Sequence, residues 1–130
     1  MACKSDDSNN NSNPFLNIPA VNLSLNLNLP EYTALKFPGN SVVITSQGIK
    51  GIVVYNIDDS QYSAFEISDP NHNPNSCSRM EIETPVATCQ CDDENSYNII
   101  TGEHTNGDNT KYPMYRYNAV RSGDIVQVYN

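Results

Sequence analysis

Cys3, Cys77, Cys89 and Cys91, with His72 and His104, are the side chains of this sequence with the most chemistry to offer. Cys3 stands alone near the start, while the other three cysteines sit close together in the middle. In an oxidising compartment a set of three gives one disulfide and one leftover thiol. His72, Cys77, Cys89 and Cys91 would also make a legitimate tetrahedral zinc set, but Cys-x-Cys lacks the wider gap usual in structural zinc sites. The run Asp69, Pro70, Asn71, His72, Asn73 imitates the first half of a calcium loop. Pro74 then stands where the turn glycine is needed, and Met80 where the bidentate glutamate is needed. A Pro/Asn-rich turn whose side chains bond their own backbone accounts better for that segment. Asp92, Asp93 and Glu94 read as a solvated loop tip. His72 and His104 fall in loops with no nucleophile motif near either, so the chain is not expected to be an enzyme and no cofactor is assigned to it.

The elements that must carry these residues are strands. The chain has 130 residues, enough for one domain with one core. Eight Tyr, three Phe and no Trp suit half-buried strands. Val21, Leu23, Leu25, Leu27 and Leu29 alternate with Asn22, Ser24, Asn26 and Asn28, so one face is buried and one is wet until Pro30 ends the strand. Further short strands are predicted over 41–45, 51–57, 61–67, 80–83, 86–89, 97–100, 115–120 and 125–129. Turn residues separate them, Asp58 and Asp59 marking a hairpin. No long window repeats apolar residues at helical spacing. This pattern predicts an all-β sandwich or barrel. Acidic residues number 15 against 7 basic ones, for a net charge of −8, which argues against a nucleic-acid partner. No apolar run approaches the ~18 residues needed to span a membrane.

The start of the chain resembles the end of a bacterial lipoprotein signal. In such signals small residues precede a cysteine that is lipidated and becomes the mature N-terminus, and here Ala2 precedes Cys3. No charged-then-apolar stretch precedes them, so the resemblance implies that the rest of the signal lies upstream of Met1. Asp6 and Asp7, just after Cys3, Lys4 and Ser5, are similar to an acidic export tag. Gram-negative bacteria rich in surface lipoproteins use such a tag to reach the outer leaflet. Residues 4–14 have nothing apolar to bury and are expected to form a flexible tether of roughly 18 Å. Residues 1–14 are thus expected to be a lipid-anchored tether and 15–130 the folded domain. Several acyl chains together would anchor it firmly.

Residues 64–128 resemble the Rieske family in order and spacing. That family carries a first loop of the form Cys-x-His-x-x-Cys and a second of the form Cys-Pro-Cys-His-Gly-Ser-x-Phe. A Thr-Gly pair follows, then a Tyr-Pro-Leu segment and a final Gly-Asp strand. The matching residues here are Ala64, Phe65, Cys77, Cys89, Gln90, Cys91, Ser96, Tyr97, Thr101 and Gly102. They continue with Tyr112, Pro113, Met114, then Tyr117 to Val120 and Gly123 to Val128. The resemblance implies a Rieske-like antiparallel sandwich or barrel with a small loop subdomain. It also locates the departures. A Rieske cluster needs two Cys on one iron and two His on the other. The first Cys position falls on Asp69 or Pro70, and the first His position on Asn71 or His72. Cys89 keeps the second Cys position, whereas Asp92 takes the second His position and Asp93 the following glycine. At best two of four ligands remain, so a cluster-free relative is expected.

The resemblance further implies a disulfide between the two loops, at Cys77 and Cys91. Closing that 15-residue loop is worth about 3 kcal/mol. A bridge from Cys77 to Cys89 stays open from the sequence. The function expected is that of a non-catalytic accessory subunit of an outer-membrane or periplasmic protein complex, facing the periplasm or the cell surface. The alternative is a Rieske-type ferredoxin subunit passing electrons to an oxygenase or nitrite reductase.

Overall fold

The computed structural model describes residues 13–92, 94–108 and 110–130. Cys3 and nearly all of the expected tether lie outside them, as does Asp93. Within the described residues the chain forms β1 (Asn22–Asn26), β2 (Ser41–Ile44), β3 (Ile52–Asp58), β4 (Gln61–Glu66), β5 (Glu81–Glu83), β6 (Val86–Thr88), β7 (Ser96–Asn98), β8 (Arg116–Ser122) and β9 (Ile125–Tyr129). Six strands pair in the order β1-β9-β8-β4-β3-β2, and β5-β6-β7 make a small separate sheet. Every strand pair is antiparallel. The expected all-β architecture is the one observed.

β3 and β4 explain why neither the apolar run 52–55 nor the mixed segment 61–67 shows a clean wet face. Both strands are buried on both faces, so alternation has no wet side to mark. Ile52, Val54 and Ala64 join one core with Leu25, Leu27 and Val126. Val53, Phe65 and Ile67 join a second with Met80, Tyr97 and Ile99, against the small sheet. The large sheet therefore divides two cores, and the small sheet exists to cover the second.

The alternation of β1 fails at its end. Leu25 and Leu27 are buried, but Leu29 is 42% exposed. Asn26 stops the strand: its side-chain oxygen accepts the Asn28 N–H at 2.9 Å, and its carbonyl accepts the Leu29 N–H at 3.0 Å. An asparagine offering its own backbone a turn competes with the ladder. A 3-10 turn, Thr33–Lys36, follows where the sequence marked no element. It buries Leu35, whose carbonyl accepts bonds from Asn56 Nδ2 at 2.9 Å and the Tyr62 hydroxyl at 2.7 Å. The outer edge of β1 is blunted by Gln47, whose side-chain amide accepts the Asn22 N–H and donates to the Asn22 carbonyl, as a neighbouring strand would.

Glu66 is fully buried at the end of β4. Its Oε1 accepts the Ile49 N–H at 2.9 Å and the Tyr117 hydroxyl at 2.7 Å. Its Oε2 accepts the Lys50 N–H at 2.7 Å and the Ser68 N–H at 3.1 Å. One side chain thus pins the 45–51 connection to β4 and β8. Burial, and then the Glu66 charge, push the Tyr117 phenol far above its ordinary range, so it stays a donor. Gly48 is required here twice over: its φ is +85°, and a Cβ would lie 2.7 Å from Glu66 Oε1.

Candidate functional site

Two loops close over the small sheet, one running from the end of β4 to β5 and one joining β6 to β7. Asp69 lies in the first and is fully buried. A buried carboxylate must be paired or hydrogen-bonded, and this one is crowded with donors. Its Oδ1 accepts the Tyr97 hydroxyl at 2.6 Å and the Asn71 N–H at 3.0 Å. Its Oδ2 accepts Asn95 Nδ2 at 3.1 Å, and the Cys89 side chain also bonds the carboxylate. Asn71 Nδ2 donates in turn to the Tyr97 hydroxyl at 2.8 Å and to the Tyr112 carbonyl at 2.9 Å, and its Oδ1 accepts the Tyr112 N–H. β7 supplies Tyr97, the β6–β7 loop supplies Cys89 and Asn95, and the segment before β8 supplies Tyr112.

Burial raises the Asp69 pKa, but the bonds from Tyr97, Asn71, Cys89 and Asn95 outweigh it and hold the carboxyl below the usual range. Burial, and then the bond to Asp69, drive the Tyr97 phenol far above its ordinary value. The shared proton therefore stays on Tyr97, and the cluster is a fixed set of donors around one carboxylate.

A group whose pKa is depressed by folding stabilises the protein fully above its unfolded value, here 3.8, and loses that contribution as pH falls through the folded value. Asp69→Asn is therefore expected to be less stable than the parent at neutral pH. The two melting temperatures should converge as the solution is taken from about pH 6 to about pH 2. Thermal unfolding followed across that range checks it, and parallel curves would show that Asp69 contributes nothing through its charge.

Cys77 and Cys91 are bridged, with their Cα atoms 5.1 Å apart, and tie the two loops together. Cys89 keeps its thiol and is buried, its sulfur 3.5 Å from the Cys91 nitrogen and 4.0 Å from the Cys77 carbonyl oxygen. Of the four positions singled out as degenerate ligands, Asp69 and Cys89 come together. Asp92 is exposed at the loop tip. His72 is half-buried, with Nδ1 3.1 Å from the Asn73 carbonyl oxygen, and its neighbour Asn71 is the residue that enters the network. The 69–78 loop bonds its own backbone, with Asn75 Oδ1 accepting the Cys77 N–H and Ser78 Oγ accepting the Asn75 N–H. Sequence reading missed Tyr97, Asn95 and Tyr112 as site residues. The Ser96-Tyr97 pair, already matched to the Rieske pattern, was the available signal.

No protein-family model matches the chain, and no curated protein matches it significantly. A solved structure does: a chain of the complex of reduced oxygenase and oxidized ferredoxin in carbazole 1,9a-dioxygenase. The match has a TM-score of 0.52 and 17% identity, and covers 85% of this chain and 92% of that one. That neighbour is the Rieske-type ferredoxin component, and the fold of the present chain is Rieske-like.

Such a fold implies a 2Fe–2S cluster between the two loops, held by two thiolates and two imidazoles. The residues present do not fit one. The Asp69 oxygens are engaged by Tyr97, Asn71 and Asn95, and Asp92, at the second imidazole position, stands exposed at the loop tip. Among the described residues no group of three or more His, Cys, Asp or Glu is arranged to hold a metal ion.

Proposed function

We propose that this domain is a non-catalytic Rieske-like scaffold, anchored by lipid at Cys3, that serves as an accessory subunit of an outer-membrane or periplasmic protein complex. The observation that carries the reading is Asp69. It stands, with Pro70, where the first cluster cysteine is expected, and it is buried with a full set of hydrogen-bond donors, so it acts as a structural tie between the loops. A tie of that kind preserves the loop architecture with no iron to organise it. The acidic tether sequence after Cys3 supports the anchor, and the net charge of −8 favours a protein partner over nucleic acid.

The similarity to a ferredoxin favours a second reading, electron transfer through a 2Fe–2S cluster. A visible spectrum separates the two. Protein produced with ample iron, and then incubated anaerobically with iron and sulfide, is expected to stay colourless and to carry far less than one equivalent of iron. A brown protein with a Rieske-type paramagnetic signal would overturn the proposal in favour of electron transfer.

A further inference from the structure

We propose that, on the anchored protein, the end of the domain bearing the 69–76 loop and Tyr112 faces the membrane, and the end bearing the β3–β4 turn points away from it. The inference rests on the anchor at Cys3 proposed above. What it adds is the point at which the chain leaves the domain. Asn13 Nδ2 donates to the Pro70 carbonyl at 2.7 Å, and Asn13 Oδ1 accepts the Phe15 N–H at 2.7 Å. The Phe15 ring meets the Tyr112 ring edge-on at 6.2 Å between centroids. Tyr112 is itself clasped by Asn71. The first described residues are thus fastened to the loop end.

Reach decides the orientation. From Cys3 to Asn13 the chain spans at most about 35 Å when fully extended. A domain of this length has a diameter of similar size, roughly 35 Å from its radius of gyration. Turning the opposite end to the membrane would need those residues pulled taut along the whole domain. A taut chain gives up its conformational freedom at about 1 kcal/mol or more per residue. Turning the loop end to the membrane needs no such extension. The opposite end is far off. β4 runs from Gln61 to Glu66 and its chain continues to Asp69, which sets the 58–60 turn about 25–30 Å from the loop. The register of β8 against β4, Ala64 with Tyr117, carries the β8–β9 hairpin to that same far end.

The sequence contains no Trp, so one introduced Trp reports its own surroundings. Asn73 in the loop and Asp59 in the β3–β4 turn are both exposed. Asn73→Trp and Asp59→Trp would each be made with a complete export signal, purified lipidated, and bound to phosphatidylethanolamine–phosphatidylglycerol vesicles carrying a headgroup-level spin-labelled lipid. Asn73→Trp is expected to lose most of its emission and Asp59→Trp to keep it. With Cys3→Ala added, neither should be quenched. Equal quenching of both, quenching of Asp59→Trp alone, or quenching of neither on vesicle-bound protein overturns the orientation and leaves the anchor standing. Failure of the lipidated protein to float with the vesicles removes the anchor, and the orientation with it.

Discussion

Glu66→Ala is expected to lower the melting temperature by on the order of 15 °C, with the variant showing native strand content only below that point. The carboxylate is fully buried and receives the N–H groups of Ile49, Lys50 and Ser68 and the Tyr117 hydroxyl. Alanine leaves four donors facing a hole, those of Ser68 and Tyr117 buried and those of Ile49 and Lys50 half-buried. An orphaned buried donor costs about 1–3 kcal/mol, and partial hydration of the hole brings the sum to about 4 kcal/mol. Tyr117→Phe removes one donor and keeps the carboxylate satisfied by three, so its shift should be a few degrees at most. Calorimetry of the parent and both variants at one pH checks the pair. A Glu66→Ala shift no larger than that of Tyr117→Phe would show that the carboxylate does not hold the 45–51 connection.

The contrast between β1 and Glu66 shows what the sequence makes legible. The apolar period of 21–27 is local, so it could be read directly, and the burial of Leu25 and Leu27 follows it. β3 and β4 were legible as strands, but the division of their faces between two cores was not, because it depends on a small sheet built from residues further along the chain. Leu29 was misplaced because the Asn26 side chain ends the strand early, a competition that alternation does not register. The pairings at the site are longer in range. Tyr117 finds Glu66 across 51 residues and Tyr97 finds Asp69 across 28. Neither follows from spacing. In the sequence Asp69 stands out only as the start of a calcium-loop imitation and as one of two residues, with Pro70, at the first cluster-cysteine position. What it does there is set by donors that the fold gathers from its own loop, the β6–β7 loop and β7.

The other large effect concerns the loops. Cys77→Ser/Cys91→Ser is expected to melt about 10 °C below the parent, from a loss of about 3 kcal/mol for opening a 15-residue loop. The double variant is the clean one. In Cys91→Ser alone, Cys77 and Cys89 remain, with the Cys89 sulfur 4.0 Å from the Cys77 carbonyl oxygen, and they could bridge in its place. Reducing agent should shift the parent by a similar amount and leave the double variant unmoved, since Cys89 then has no disulfide to exchange with. The Asp69 network does not pass through the bridge: Tyr97, Asn71 and Asn95 reach the carboxylate without either sulfur. The double variant should therefore keep the loop end folded below its melting temperature, and the tyrosine near-ultraviolet circular dichroism should stay close to the parent's. Peptide mapping without reduction identifies the bonded pair. A Cys77–Cys89 bond, or three thiols in protein made in the periplasm, would contradict the bridge. Loss of the tyrosine signal at low temperature would mean that the bridge organises the Asp69 network rather than reinforcing it.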